Sequence, residues 1–421
     1  MVYNSEAAYL EHLRTISLWP RGFHCQTYRL SFSPREKGGE HVYSLSGSLV
    51  YLKESTPSFA AITTKNAFPG ASIILLRERM KEKNWRAIHV NNCLSNVLVG
   101  TGYADAESIT ESVGTLLEVP REECLSISTG IIGWRLPVDE MNTTIRALSL
   151  AENHDVLDFA QAIKTTDRYP KLLRHSFDDG SSICMVAKGA GMVEPNMATM
   201  LVFIFTDVAL PRESMQTMLV ESASKSFNTI SIDSDTSTSD SVLFLSSNRY
   251  HGVDENTFFS ALEAMSQKMA TDIVQNGEGT THVIKVTTKR APSTEIARQI
   301  SRGVANSLLV KSAIYGNDPN VGRILMAIGK STEDQALVHN TSVFLGETLV
   351  FQEGKTLLNQ TLEKKLGDYL RSMQQDSTLA FPENKGNVDI VIDLDAGDEQ
   401  AQIIGSDLSQ EYVSINAEYR S

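Results

Sequence analysis

Lys188-Gly-Ala-Gly-Met-Val-Glu-Pro-Asn-Met-Ala-Thr-Met200 runs directly into Leu201-Val-Phe-Ile-Phe-Thr-Asp207. The first half is a small-residue turn, with Pro195 and Asn196 as turn formers. Met200 to Phe205 is a short apolar run of strand type, too short to cross a bilayer. Thr199 therefore stands where a loop becomes a buried strand. A hydroxyl packs poorly there but suits a positioned nucleophile. Such a Thr needs a base. Cutting the chain between Ala198 and Thr199 supplies one, because the freed α-amine titrates near ~7.7–8.0 and can take the proton of its own hydroxyl. Small Ala198 leaves the scissile carbonyl open to attack. The plainer reading is a glycine turn before a core strand that tolerates a Thr, and residue types alone favour it, because short motifs misfire often.

The chain around this stretch has 421 residues, enough for two or three domain-sized units. Apolar residues make up 41%, which places it among globular chains. Lys and Arg number 38 against 51 Asp and Glu, a net charge of -13 that argues against binding a nucleic-acid backbone. A local basic patch for a coenzyme stays open. The N-terminus has no basic segment leading into an apolar core, and no stretch reaches membrane-spanning length, so neither a secretory leader nor a membrane anchor is expected. Cys25, Cys93, Cys124 and Cys184 are widely spaced with no CxxC pair, as expected for reduced thiols of a cytoplasmic protein. The nine His residues show no metal-ligand spacing, and no metal is expected.

Residues 1 to about 45 are weakly patterned. From there strands and helices alternate: Phe59 to Thr63, Ala87 to Val90 and Leu125 to Ser128 as short buried strands, and Asp155 to Ile163 as a helix. Beyond Thr199, helices are expected over Pro211 to Phe227, Glu255 to Gln275, Glu295 to Val304 and Gly322 to Ile328. Val242 to Leu245, Val283 to Thr287 and Val388 to Leu394 read as strands, and Gly346-Glu347 as the turn of a hairpin. The mixture is α/β or α+β.

The full 188–201 string resembles the signature of the ornithine acetyltransferase family, the bifunctional glutamate N-acetyltransferases of arginine synthesis. Its pattern Lys-Gly-x-Gly-Met-x-x-Pro-Asn-Met-Ala-Thr-Met-Leu is matched at every fixed position. The resemblance implies an α/β (α+β) fold of layered helices and mixed sheets, of the self-processing N-terminal-nucleophile type. It also implies cleavage between Ala198 and Thr199 into an α part, 1–198, and a β part, 199–421, with two of each assembling. Thr199 would carry the acetyl group from N-acetylornithine to glutamate.

Further segments carry the same resemblance. Ser128-Thr-Gly-Ile-Ile-Gly133, at the end of an expected strand, is similar to the family's Ser-Thr-Gly-Val-Ile-Gly, whose Thr and Gly form the oxyanion hole; these are Thr129 and Gly130 here. Thr165-Thr-Asp167 resembles the segment whose first Thr contacts substrate, which implies Thr165. Lys188 would meet a substrate carboxylate. Gly277-Glu-Gly279 implies substrate binding by Glu278, and the closing Tyr412–Ser421 segment implies Asn416 and Ser421, the latter standing where Thr is commoner. Asp233-Ser-Asp-Thr-Ser-Thr-Ser-Asp240 fails the EF-hand spacing and resembles the family's Asp-Gly-Asp-Thr-Ser-Thr-Asn-Asp, with no chemical role assigned. No bound cofactor is implied; acetyl-CoA stays open as an acetyl donor.

The sequence also departs from the family. Asn91 to Gly100 replaces small polar residues with Leu94, Val97 and Val99; Trp134-Arg135 follows the oxyanion segment; Val321 replaces a Trp. These changes leave open a divergent N-acyltransferase with another amino-acid-like substrate. A self-processing aminopeptidase or amidohydrolase is a second alternative, and an uncut binding relative a third.

Overall fold

Strands that read as continuous apolar runs must be covered on both faces, and the strand that follows Thr199 is. The computed structural model describes residues 3, 5–39, 41–194, 200–376, 381 and 386–419. Its strands are, in chain order, β1 (Phe23–Phe32), β2 (Tyr43–Thr56), β3 (Phe59–Thr63), β4 (Trp85–Asn91), β5 (Cys124–Ser128), β6 (Lys171–Ser176), β7 (Ser182–Lys188) and β8 (Leu201–Val208). There follow β9 (Ile230–Ser231), β10 (Ser241–Tyr250), β11 (Val283–Ala291), β12 (Ser342–Leu345), β13 (Thr348–Gln352), β14 (Lys355–Thr356), β15 (Val388–Asp393) and β16 (Glu399–Ser406). They form three sheets, ordered β1-β2-β4-β5, β3-β10-β8-β7-β6 and β14-β13-β12-β15-β11-β16-β9.

The first two sheets stack face to face. On β8, Leu201, Phe203 and Phe205 pack against Val50, Ile88, Val90 and Ile127 of the first sheet. The alternate residues Val202 and Ile204 pack outward on Met215, Leu219, Phe258 and Leu262. These belong to the helices Arg212–Lys225 and Glu255–Gln275. The outer face of the first sheet is covered likewise: Leu49 and Ala87 meet Ile109 and Val113 of helix Gly102–Leu117 and Met141 of helix Val138–Arg146. The result is helices, sheet, sheet, helices: a layered α/β architecture with mixed sheets, as the resemblance implies. The third sheet builds its own core, with Val286, Ile390 and Ile403 against Ile300, Ile324 and Leu366 from three further helices.

The N-terminal residues hold more structure than their pattern shows. Helix Glu6–Ile16 is capped by Ser5 and buries Leu13. β1 pairs with β2 along its whole length, from Phe23 opposite Leu52 to Phe32 opposite Tyr43. Its buried positions do not alternate cleanly, and Gln26 is among them. Pairing with β2 makes it a strand, so periodicity alone misses it.

Two registers place the functional segment. β7 runs antiparallel to β8 with Lys188 opposite Leu201, and β8 runs parallel to β10 with Leu201 opposite Ser241. Lys188, Leu201 and Ser241 thus stand in one row at the end of the sheet where β7 closes and β8 opens.

Candidate active site

At that edge a cleft opens, with an empty volume of about 720 Å³ that includes space open to solvent. Six of the residues the sequence singled out line it: Thr129, Gly130, Thr165, Lys188, Glu278 and Asn416. Met200 and Leu201, which follow Thr199 in the chain, line it too. Ala198, Thr199 and Ser421 lie outside the described residues.

Thr129 and Gly130 follow β5 in a turn packed on the loop after β4. Thr129 N–H donates to the Asn91 carbonyl at 3.1 Å and Ile131 N–H to the Cys93 carbonyl at 2.8 Å. Gly130 has φ +130°, and a Cβ there would stand 2.1 Å from the Cys93 carbonyl carbon, so only glycine fits. Its N–H donates to no other group among the described residues. Lys188 Nζ donates to Thr129 Oγ1 at 3.0 Å. An ammonium has no acceptor capacity, so Thr129 uses its oxygen on Lys188 and keeps its own O–H proton to donate elsewhere. Two donors, a hydroxyl and an N–H, therefore border the cleft, as stabilisation of an oxyanion requires.

Lys188 has no ion-pair partner within 4.0 Å among the described residues. Burial lowers its affinity for a proton, while Asp167, Asp240 and Glu278 oppose that shift. Asp167 is already engaged. Its Oδ1 lies 2.5 Å from Lys171 Nζ and accepts from Gly189 N–H at 2.9 Å, and its Oδ2 accepts from Thr165 N–H at 3.1 Å. Burial alone would raise the Asp167 carboxyl, but Lys171, Lys188 and these hydrogen bonds hold it well below the usual carboxylate range. This fully buried Asp167–Lys171 pair pins the turn that carries Thr165 to the end of β7 that carries Lys188.

Glu278 enters between helix Glu255–Gln275 and β11. Its Oε1 accepts from Thr166 Oγ1 at 2.6 Å and its Oε2 from Asn416 Nδ2 at 2.7 Å. Gly279 has φ +64°, and a Cβ there would meet Ser409 Oγ at 2.3 Å and the Tyr412 nitrogen at 2.5 Å. That close approach seats helix Gln410–Ala417, with Asn416 on it, against Glu278. The glycines around Glu278 are packing requirements of the site. Thr166, beside the expected Thr165, lines the cleft as well.

The polar run Asp233–Asp240 serves as scaffold. Asp233 accepts from Met192 N–H at 2.5 Å and Val193 N–H at 2.8 Å, and Glu194 N–H donates to the Asp235 carbonyl at 3.0 Å. The run thereby holds residues 192–194 of the signature loop. Its last member, Asp240, lines the cleft and was not singled out for a role by the sequence. Asp240 precedes the apolar Val242–Leu245 run, the same loop-into-strand pattern that marks Thr199; that pattern could have flagged it.

The departures from the family fall mostly in the packing. Leu94 and Val97 are buried, Trp134 stacks edge-on against Tyr43, and Val321 is in the core of the third sheet. Arg135 pairs with Asp105 at 2.9 Å, away from the cleft. Only Ser95 of the 91–100 loop lines the cleft. Cys93 holds φ +69°, and burial pushes its thiol up to about 11.

The sequence model of the ArgJ family matches residues 44–421. The chain belongs to the ArgJ family. Arginine biosynthesis bifunctional protein ArgJ 2 of Clostridium acetobutylicum is 35% identical over 402 residues, 95% of this chain and 97% of that protein. The glutamate N-acetyltransferase of Methanocaldococcus jannaschii is 34% identical, over 89% of this chain and 94% of its own length. A solved chain of the arginine biosynthesis bifunctional protein ArgJ from Bacillus halodurans is 29% identical, covering 52% of this ArgJ-family chain and 98% of itself at a TM-score of 0.44. Among the described residues, no group of three or more His, Cys, Asp or Glu could hold a metal ion, and no helix is long and apolar enough to cross a membrane.

Proposed function

We propose that this chain is an autoprocessed N-acetyltransferase of arginine biosynthesis that moves the acetyl group of N-acetylornithine to glutamate. The observation that carries the reading is the pair of free donors, Thr129 O–H and Gly130 N–H, bordering the same cleft as Met200 and Leu201. Those two residues come directly after Thr199 in the chain. The membership in the ArgJ family and the substrate-binding set Thr165, Lys188, Glu278 and Asn416 support it.

In maturation, Thr199 Oγ attacks the Ala198 carbonyl, the Ala198–Thr199 C–N bond breaks as the Thr199 nitrogen takes up the hydroxyl proton, and water hydrolyses the resulting ester to give parts 1–198 and 199–421. In the acetyl cycle, Thr199 Oγ attacks the acetyl carbonyl of N-acetylornithine while its α-amine takes the hydroxyl proton. Thr129 and Gly130 hold the oxyanion of the tetrahedral intermediate. The α-amine returns the proton to the departing amine of ornithine, leaving acetyl-Thr199. The amine of glutamate then attacks this ester, N-acetylglutamate leaves, and Thr199 is restored. This is ping-pong chemistry with one covalent intermediate. Two α and two β parts would assemble in the cytoplasm.

The test is the intact mass of the purified protein under denaturing conditions beside Thr199→Ala, followed by acetyl transfer from N-acetylornithine to glutamate. Two fragments from the parent and one uncut chain from the variant are expected, with glutamate-dependent transfer. An uncut parent refutes the maturation step, and glutamate-independent release of acetate refutes the transferase reading in favour of a hydrolase. Acetyl-CoA in place of N-acetylornithine tests the second donor.

A further inference from the structure

Three carboxylates surround the Lys188 ammonium in the cleft, and they differ in what remains of their acceptor capacity. Asp167 is consumed by Lys171 and two backbone N–H groups. Glu278 has each oxygen engaged, by Thr166 and by Asn416. Asp240 alone has an oxygen left over. It is 4% exposed, Ser237 hydrogen-bonds its carboxyl, and its Oδ2 is shut from solvent with no partner. Ser239 Oγ, also facing the cleft and 6% exposed, has no partner either. A buried carboxylate oxygen left unpaired is costly. It has to be satisfied by a proton or by a ligand.

We propose that Asp240 receives the side-chain ammonium of the acetyl donor and so selects a diamino acid for the first half-reaction. The inference rests on the acetyl-transfer reading above. Its geometry comes from the strand register. Asp240 directly precedes Ser241, whose N–H donates to the Met200 carbonyl at 2.9 Å, and Ser241 stands in the row with Leu201 and Lys188. The carboxyl is thus fixed on rigid strand ends beside the nucleophile's segment.

The same residue suits both halves of a ping-pong cycle. In the empty cleft, burial holds the Asp240 carboxyl well above the usual carboxylate range, with Lys188 and the Ser237 contacts opposing. That burial favours its protonated form. An ammonium entering the cleft replaces that proton, which leaves to solvent, and forms an ion pair. When the acceptor brings a carboxylate instead, the protonated Asp240 donates a hydrogen bond to it, and Lys188 supplies the positive charge. One pocket can then admit side chains of opposite charge in turn, without moving the backbone.

The experiment is single-turnover acetylation of the mature protein, read by the mass of its acetylated part. The donors are N-acetylornithine, N-acetylnorvaline, which has the same carbon chain without the amine, and N-acetylglutamate. The parent should be acetylated about 100-fold faster by N-acetylornithine than by N-acetylnorvaline, and Asp240→Asn should reduce that preference to within about 3-fold. Acetylation by N-acetylglutamate should fall far less than acetylation by N-acetylornithine. A variant that keeps the parent's preference, or one that loses all three donors in proportion, overturns the proposal. Should Asp240→Asn not fold, the parent alone still decides, because equal rates with N-acetylornithine and N-acetylnorvaline overturn it; Asp240→Glu, which keeps the carboxyl group, should keep the preference. A cleaved parent acetylated by none of the three donors refutes the underlying transfer reading, which is a separate result.

Discussion

Substituting Gly191 by alanine isolates the Glu278 carboxylate without touching Glu278. A Cβ at position 191 would lie 2.4, 2.5 and 2.7 Å from the three carboxylate atoms of Glu278, where ordinary contact begins at 3.4 Å. The backbone of Gly191 is not in the left-handed region, so alanine adds no conformational strain of that kind. The carboxylate must therefore retreat by about 1 Å, the difference between 3.4 and 2.4 Å. It is held by hydrogen bonds of 2.6 Å from Thr166 and 2.7 Å from Asn416, and that retreat breaks one or both. Hydrogen bonds to a charged group contribute about 1.5–3 kcal/mol each. The expected loss is about 2–4 kcal/mol of transition-state stabilisation, or about 30- to 1000-fold in kcat/KM for acetyl transfer. A double-mutant cycle is the assay. In a Glu278→Ala background, Gly191→Ala should cost less than about 0.5 kcal/mol, because the group it displaces is gone. A Gly191→Ala enzyme within about 3-fold of the parent, or one whose penalty persists in the Glu278→Ala background, refutes the argument.

Three further outcomes follow from the same geometry. Thr129→Val keeps the side-chain shape and removes the free O–H, so kcat should fall about 100- to 1000-fold; an unchanged kcat removes Thr129 from the oxyanion site. Lys171→Met strands the buried Asp167 and should destabilise the protein by about 3–5 kcal/mol near neutral pH, measured by urea unfolding. Because the parent's Asp167 carboxyl is held below its unfolded value, its contribution is full above that value and fades as pH falls, so the gap between parent and variant should narrow in acid; a gap that widens in acid contradicts this. Lys311, which donates to the carbonyls of Ile232 at 2.7 Å and Ser406 at 2.6 Å, is lowered by burial to about 8. The unfolded chain keeps that proton up to about 10.4. Relative to Lys311→Met, the parent should therefore gain about 3 kcal/mol of stability as pH rises through this window, and a flat difference refutes the buried ammonium.

Much of the site can be read from the chain. Local patterns identify the strand that follows Thr199 and the helix Glu255–Gln275 to the residue, while the resemblance to the family names six residues that converge on the cleft. Such features are written locally, because an apolar run, a cap or a glycine turn reports its own backbone and its own burial. The same logic fails at β1, whose strand character depends on the partner 20 or so residues ahead, and at Lys171, which reads as an ordinary strand residue until it meets Asp167.

Folding decides which of these groups act on one another. The sequence separates Thr129 from Lys188 by 59 residues, Thr166 from Glu278 by 112 and Glu278 from Asn416 by 138, yet each pair ends within hydrogen-bond distance. Nothing in their local patterns says that Lys188 frees the Thr129 proton, that Glu278 is fully engaged, or that Asp240 keeps one oxygen unpaired. Those facts arise from segments of all three sheets brought to one cleft. Periodicity specifies which face of a strand is buried, whereas the identity of the buried neighbour is a property of long-range packing, which only the assembled structure contains.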